Sequence, residues 1–257
     1  MCSSDLEAQQ ITQVGGVARD GRYGWNYGYE VQEFSHGVTN VKIKVHLDAQ
    51  AGVTAADIER VQADVRAGVD RYYNYQHTVT NSAGDASRLH VEVEFVQTPG
   101  EAHLSAQLHP GEGRADLSTW YVQSDPTVHA HELGHQMRFR DEYVDATVPN
   151  RATPTSPGVA NDGGLMTNFW ERDPVTGRSV PRADTHLPQR NVDELGAEIR
   201  AQRQAAGHTV DPRDPSPGVT PAAADTERVA GQTERGAAPT ERGAPSTEPA
   251  AAPDRKS

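Results

Sequence analysis

Cysteine is nearly missing: the 257 residues contain one, Cys2, which excludes an internal disulfide and a thiolate zinc cage. Lysine is nearly missing too. Three lysines against 21 arginines, inside a formal charge of -12, leave no basic stripe for a phosphate backbone, so nucleic acid is not an expected partner. Apolar runs stay far below the roughly 18 residues that cross a bilayer, and Met1 to Ile11 has no cationic start followed by an apolar core. Neither a membrane span nor an ordinary secretory signal is expected. With thiols scarce, any metal must be held by histidine and carboxylate, of which there are 11 His and 36 Asp plus Glu.

From about Ala205 onward the chain also lacks aromatics, Leu, Ile and Met, while 8 of its 17 prolines lie there. Such a segment cannot bury enough apolar surface to offset its ordering entropy. Thr-Glu pairs recur every seven residues at Thr226, Thr233, Thr240 and Thr247. No position of that repeat is consistently large and apolar, and Pro239, Pro245, Pro249 and Pro253 interrupt it, which argues against a coiled coil. Residues 205–257 are therefore expected to be a disordered tail, a tether or a docking signal for secretion or injection machinery.

Residues 1–204 alternate between strand and helix periods. Tyr23, Trp25, Tyr27, Tyr29 and Val31 alternate with smaller or polar residues, which predicts a strand whose aromatic face packs on the core. Val41, Ile43, Val45 and Leu47 predict a second strand, and Leu89, Val91, Val93 and Phe95 a third. Between them Thr54 and Asp57 make a capping box, followed by Ile58, Val61, Val65, Val69 and Tyr72 at helical spacing. Short strands follow at Leu104–Leu108 and Trp120–Val122. Asp125-Pro126 then opens a helix with a cap and a first-turn proline. Val192, Leu195 and Ile199 predict a last helix, capped by Asn191.

The helix opened by Asp125 carries His131-Glu132-Leu133-Gly134-His135. Histidines four apart stand one turn above each other on one helical face, so both imidazoles reach one ion, and Glu132 is angled to hold a water there. His129 falls on another face and is expected to be core or surface. Asp141 and Glu142 are competing candidates for a third ligand, with His186 a remote one.

The run from His131 to Asp141 resembles the extended metzincin signature, with Asp141 at the position of the third zinc ligand, and Gly164-Leu165-Met166-Thr167 resembles the methionine turn of that clan. The run through Tyr143 also resembles bacterial toxin-like or effector metallopeptidases, more weakly. The resemblance implies a zinc endopeptidase with Zn²⁺ on His131, His135 and Asp141, Glu132 as general base, Met166 beneath the metal and Tyr143 able to polarise the substrate carbonyl. It implies an α/β (α+β) fold: a twisted mixed sheet with a backing helix and an active-site helix in an upper part, about 20–137. A small irregular lower part, 138–204, ends in one helix. A protein or peptide substrate is implied, and a protein made in a bacterial cytoplasm and delivered by a non-general pathway.

One position departs from the signature. Arg138 stands where the family has glycine, because the helix must end there in a left-handed turn. An arginine in that conformation costs roughly 1 to 2 kcal/mol, so glycine would be favoured there on backbone grounds. If the helix ran on, Arg138 would face the metal instead. Two other functions use the same residues: a metal-stabilised protein-binding module with impaired catalysis, and a two-His-one-carboxylate iron oxygenase, which needs no glutamate after its first histidine.

Overall fold

The computed structural model describes residues 8–34 and 36–206. Cys2 and, apart from its first two residues, the expected tail lie outside the described residues. Among the described residues the architecture is mixed α and β: a seven-stranded mixed sheet, a separate two-stranded ribbon and three α-helices.

Strands β1 (Ala8–Asp20) and β2 (Tyr23–Phe34) form a long antiparallel hairpin. Gly21, at φ +60°, supplies the left-handed step that its two-residue turn requires. Strand β3 (Val38–Ala49) pairs antiparallel with β2, then runs into helix α1 (Ala55–Tyr72). The capping box forms as its residues predict: Asp57 N donates to Thr54 Oγ1 at 3.2 Å, and Thr54 N donates to Asp57 Oδ2 at 3.0 Å. The chain returns through the edge strand β4 (Thr78–Thr80) into β5 (Ala86–Phe95), parallel to β3, so the segment is a crossover unit with its helix on one face.

Strand β6 (Leu104–His109) takes the far half of the edge of β3 that β2 vacates, and β7 (Thr119–Tyr121) lies parallel beside it. Helix α2 (Pro126–Gln136) follows, with Thr127 N donating to the capping Asp125 Oδ1 at 2.8 Å. After an irregular stretch come the ribbon β8 (Trp170–Arg172) and β9 (Ser179–Pro181), then helix α3 (Gln189–Ala205). Among the described residues no helix is long and apolar enough to cross a membrane.

One face of the sheet carries Tyr27, Tyr29, Val31, Val41, Ile43, Val45, Leu89 and Val91, all buried in the same core as Val61, Val65, Val69 and Tyr72 of α1 and Leu133 of α2. The aromatic face of β2 is thus largely core. The opposite face is charged: Lys42 Nζ stands 3.4 Å from Glu92 and 3.8 Å from Glu94. Where β2 and β6 part along the edge of β3, Gln136 at the end of α2 plugs the gap. Its Nε2 donates to the carbonyls of Gly28 and His103 at 2.8 and 2.9 Å.

The sheet begins at Ala8, with β1 hydrogen-bonded to β2 along nearly its whole length. One expectation needs correction. Asn191 is not a helix cap. Pro188, with φ fixed at -67°, begins α3 without a side-chain cap, and Asn191 lies inside the first turn, buried, with its amide 3.4 Å from Glu142.

Helices α1 and α2 touch at Gly68, where a Cβ would sit 2.3 Å from the carbonyl oxygen of Pro126. Alanine favours a helix over glycine by about 1 kcal/mol, but backbone cannot yield as a side-chain tip can. Gly68→Ala is expected to destabilise the fold by about 1–3 kcal/mol through overpacking, read as a lower thermal midpoint; a higher midpoint would mean the helices are not in close contact there.

Candidate metal centre

Helix α2 ends at Gln136 in a hydrogen-bonded reversal. Phe139 N donates to Gly134 O and Arg138 N to His135 O, both at 2.9 Å, with Arg138 at φ +75°. This is the double closure of a Schellman motif, with the left-handed residue where glycine usually stands. The helix does not run on, and the Arg138 side chain turns away from the histidines. It donates to Glu198 of α3, beneath which Tyr27 Oη donates to the same carboxylate at 2.5 Å.

The reversal carries Asp141 back over α2. Asp141 Oδ1 stands 3.3 Å from Nε2 of both His131 and His135, and the ligand atoms of the three all lie within 4.8 Å of one another. The two rings cross at 86° with centroids 4.8 Å apart. Each imidazole is fixed from behind: His131 Nδ1 lies 2.8 Å from Leu165 O and His135 Nδ1 2.8 Å from Phe139 O. A carbonyl only accepts, so both Nδ1 atoms carry protons and both Nε2 atoms, the ones left to bind an ion, face Asp141 Oδ1. That oxygen is buried and receives no well-directed hydrogen bond. Two imidazole nitrogens and a carboxylate oxygen converging on one point form a donor set of the kind zinc takes, and the carbonyl supports are of the kind found behind metal-binding histidines.

Electrostatics follow from this crowding. Burial raises the Asp141 carboxyl, yet the facing His135 and His131 outweigh it and hold the group well below the usual range. Burial lowers His135, but the Asp141 charge pulls it up to about 9. A cation entering between them competes with that proton. Burial raises the Glu132 carboxyl against the pull of the two histidines, so its proton affinity is above that of an exposed glutamate.

The residues around the centre sort clearly. Met166 is fully buried beneath α2, its Sδ 2.7 Å from where a Cβ at Gly134 would stand, so the absence of a side chain at Gly134 makes room for it. Burial, then the neighbouring Asp141 charge, raises the Tyr143 phenol, which keeps its proton as a neutral donor. Glu142 is turned away, held by Arg190 through Nε–Oε1 at 2.8 Å and Nη2–Oε2 at 2.5 Å. His186 is exposed, with Nδ1 3.1 Å from Asp184 O, and lies outside the ligand cluster. His129 is core: it packs on Trp120 with ring centroids 4.7 Å apart, and burial pulls it down to about 4.

No family model, curated protein or solved structure compared with this chain matches it. The centre therefore stands on its side-chain geometry. The shallow cavity of about 200 Å³ lined by Arg66, Asp70, His90 and Glu92 contains none of these residues.

Three neighbours carry no sequence signal of a role here. Trp25 Nε1 donates to His135 O at 2.8 Å, with its ring 5.6 Å from the imidazole, and Phe169 packs 5.4 Å from His131. Trp25 was legible only as part of an aromatic strand face. Arg151, in a proline-rich stretch without periodicity, is buried beside Asp141.

The side chain of Arg138 reverses the expectation for glycine at that position. Glycine would relieve about 1 kcal/mol of backbone strain, but it would leave the buried Glu198 without its cation, a larger cost even for a half-exposed arginine. Arg138→Gly is expected to lose about 1–2 kcal/mol in a denaturant melt, and Glu198→Gln in the same chain to recover most of it. A stabilised Arg138→Gly chain would show that the ion pair contributes nothing.

Proposed function

We propose that the chain is a zinc-dependent endopeptidase of metzincin-like type. The observation that carries this reading is the convergence of His131 Nε2, His135 Nε2 and Asp141 Oδ1, with Glu132 one residue beyond the first histidine on the same helix. The left-handed Arg138 and the buried Met166 under Gly134 support the resemblance. When bound, Zn²⁺ supplies a Lewis acid that polarises the scissile carbonyl and acidifies a water.

The chain's own residues do the rest. Glu132, with its proton affinity raised by burial, takes the proton of the attacking water and delivers it to the leaving amine. Tyr143, neutral beside Asp141, offers its phenol hydrogen to the carbonyl oxygen as negative charge grows there. His131 and His135, oriented by Leu165 O and Phe139 O, hold the metal without spending ordering entropy at the moment of binding. A glutamate beside the first ligand has no task in a metal-stabilised binding module or in a two-His-one-carboxylate iron site. Hydrolysis gives it one.

Glu132→Gln is expected to keep one zinc per chain while peptide cleavage falls by roughly 10² to 10⁴, the range of general-base losses. Elemental analysis and digestion of a broad peptide library check both halves. A Gln variant that cleaves at the wild-type rate removes Glu132 from the reaction; a wild-type chain without stoichiometric zinc removes the metallopeptidase.

A further inference from the structure

Arg151 is one of the few charged side chains fully withdrawn from water, with 2% of its surface exposed. It ends a 3₁₀ turn, Pro149–Arg151, within an otherwise irregular stretch. Each of its nitrogens has a different task. Nε donates to Asp20 Oδ2 at 2.7 Å, Nη1 to the backbone oxygen of Tyr143 at 3.0 Å, and Nη2 reaches Asp141 Oδ2 at 3.4 Å, with Asp145 Oδ2 at 4.0 Å. The guanidinium also lies over the Tyr143 ring, 4.9 Å from its centre. Asp20, its firmest partner, is itself buried at the end of β1.

We propose that Arg151 is a positioning residue for the metal centre: it pins the outer oxygen of Asp141 and the backbone of Tyr143, so that Asp141 offers Oδ1 alone between the two histidines. The inference rests on the metal-site reading above and adds a residue that neither the motif nor the turn includes. Two observations favour it over a purely structural ion pair. The two carboxylate oxygens of Asp141 have separate partners, Oδ1 facing both histidines and Oδ2 facing Arg151. The same planar group also fixes the residue whose phenol stands beside Asp141. A lysine could supply the charge but not three directed contacts in one plane. The hairpin β1–β2, through Asp20, thereby becomes part of the support of a centre built on α2.

The test uses the full chain in four forms: wild type, Arg151→Gln, Arg151→Lys and Asp20→Asn. Zinc affinity is measured by competition with a chromophoric chelator, and ligand geometry by the visible spectrum after Co²⁺ loading. Loss of such outer support typically costs 10- to 100-fold in metal affinity. Arg151→Gln is expected to fall in that range with an altered cobalt spectrum, Arg151→Lys to recover only part of the affinity, and Asp20→Asn to change the spectrum with a smaller loss. Wild-type affinity and an unchanged spectrum in Arg151→Gln overturn the inference while leaving the metal site standing. If Arg151→Gln does not fold, wild-type values in both Arg151→Lys and Asp20→Asn overturn it. A wild-type chain that binds neither metal overturns this inference and the metal site together.

Discussion

The left-handed turn at Arg138 is the constraint on which the rest of the centre depends. A helix can bring His131 and His135 onto one face by itself, but a third ligand from the same stretch requires the chain to stop and double back within a few residues. The Schellman closure does this, and Phe139, which completes it, also places its carbonyl behind His135. One reversal therefore terminates the helix, orients a histidine and returns Asp141. An arginine in that conformation carries a strain of about 1–2 kcal/mol. Here its half-exposed side chain joins the buried Tyr27 of β2 and Glu198 of α3 in one network, which offsets the strain and ties the last helix to the turn.

Support for the centre comes from widely separated parts of the chain. Leu165, next to Met166, fixes His131; Trp25 of β2 holds the backbone of His135; Gln136 bridges the split between β2 and β6. The sheet serves as a rigid floor, and its charged outer face leaves the apolar face free to seat α1 and α2. Arg190 holds Glu142 away from the histidines, which leaves the place between the two imidazoles to Asp141. That selection between adjacent carboxylates is a tertiary effect.

What the sequence made legible was local. The Thr54–Asp57 box, the Asp125-Pro126 helix start, the alternation in β2, β3 and β5 and the histidine pair each depend on residues a few positions apart. Strand β1 escaped because its inward residues are Thr12, Val14 and Ala18 while Ile11 and Val17 point outward, so no apolar alternation marks it. Asn191 misled because a good capping residue stood three positions after a proline that could begin the helix unaided. Arg151 was invisible because its partners, Asp20 and Asp141, are remote in sequence or on a different element, and nothing in a proline-rich stretch distinguishes a buried arginine from an exposed one. The positive φ of Arg138 followed from the family resemblance, but its pairing with Glu198, 60 positions away, did not.

The most direct measurement of the central claim is anomalous diffraction at the zinc edge from crystals of the full chain. The account predicts one peak, about 2.0–2.2 Å from each of His131 Nε2, His135 Nε2 and Asp141 Oδ1, the usual range for nitrogen and oxygen ligands of zinc. A peak on the Nδ1 side of either histidine, on Glu142 or on His186, or no peak between the two rings, would contradict it.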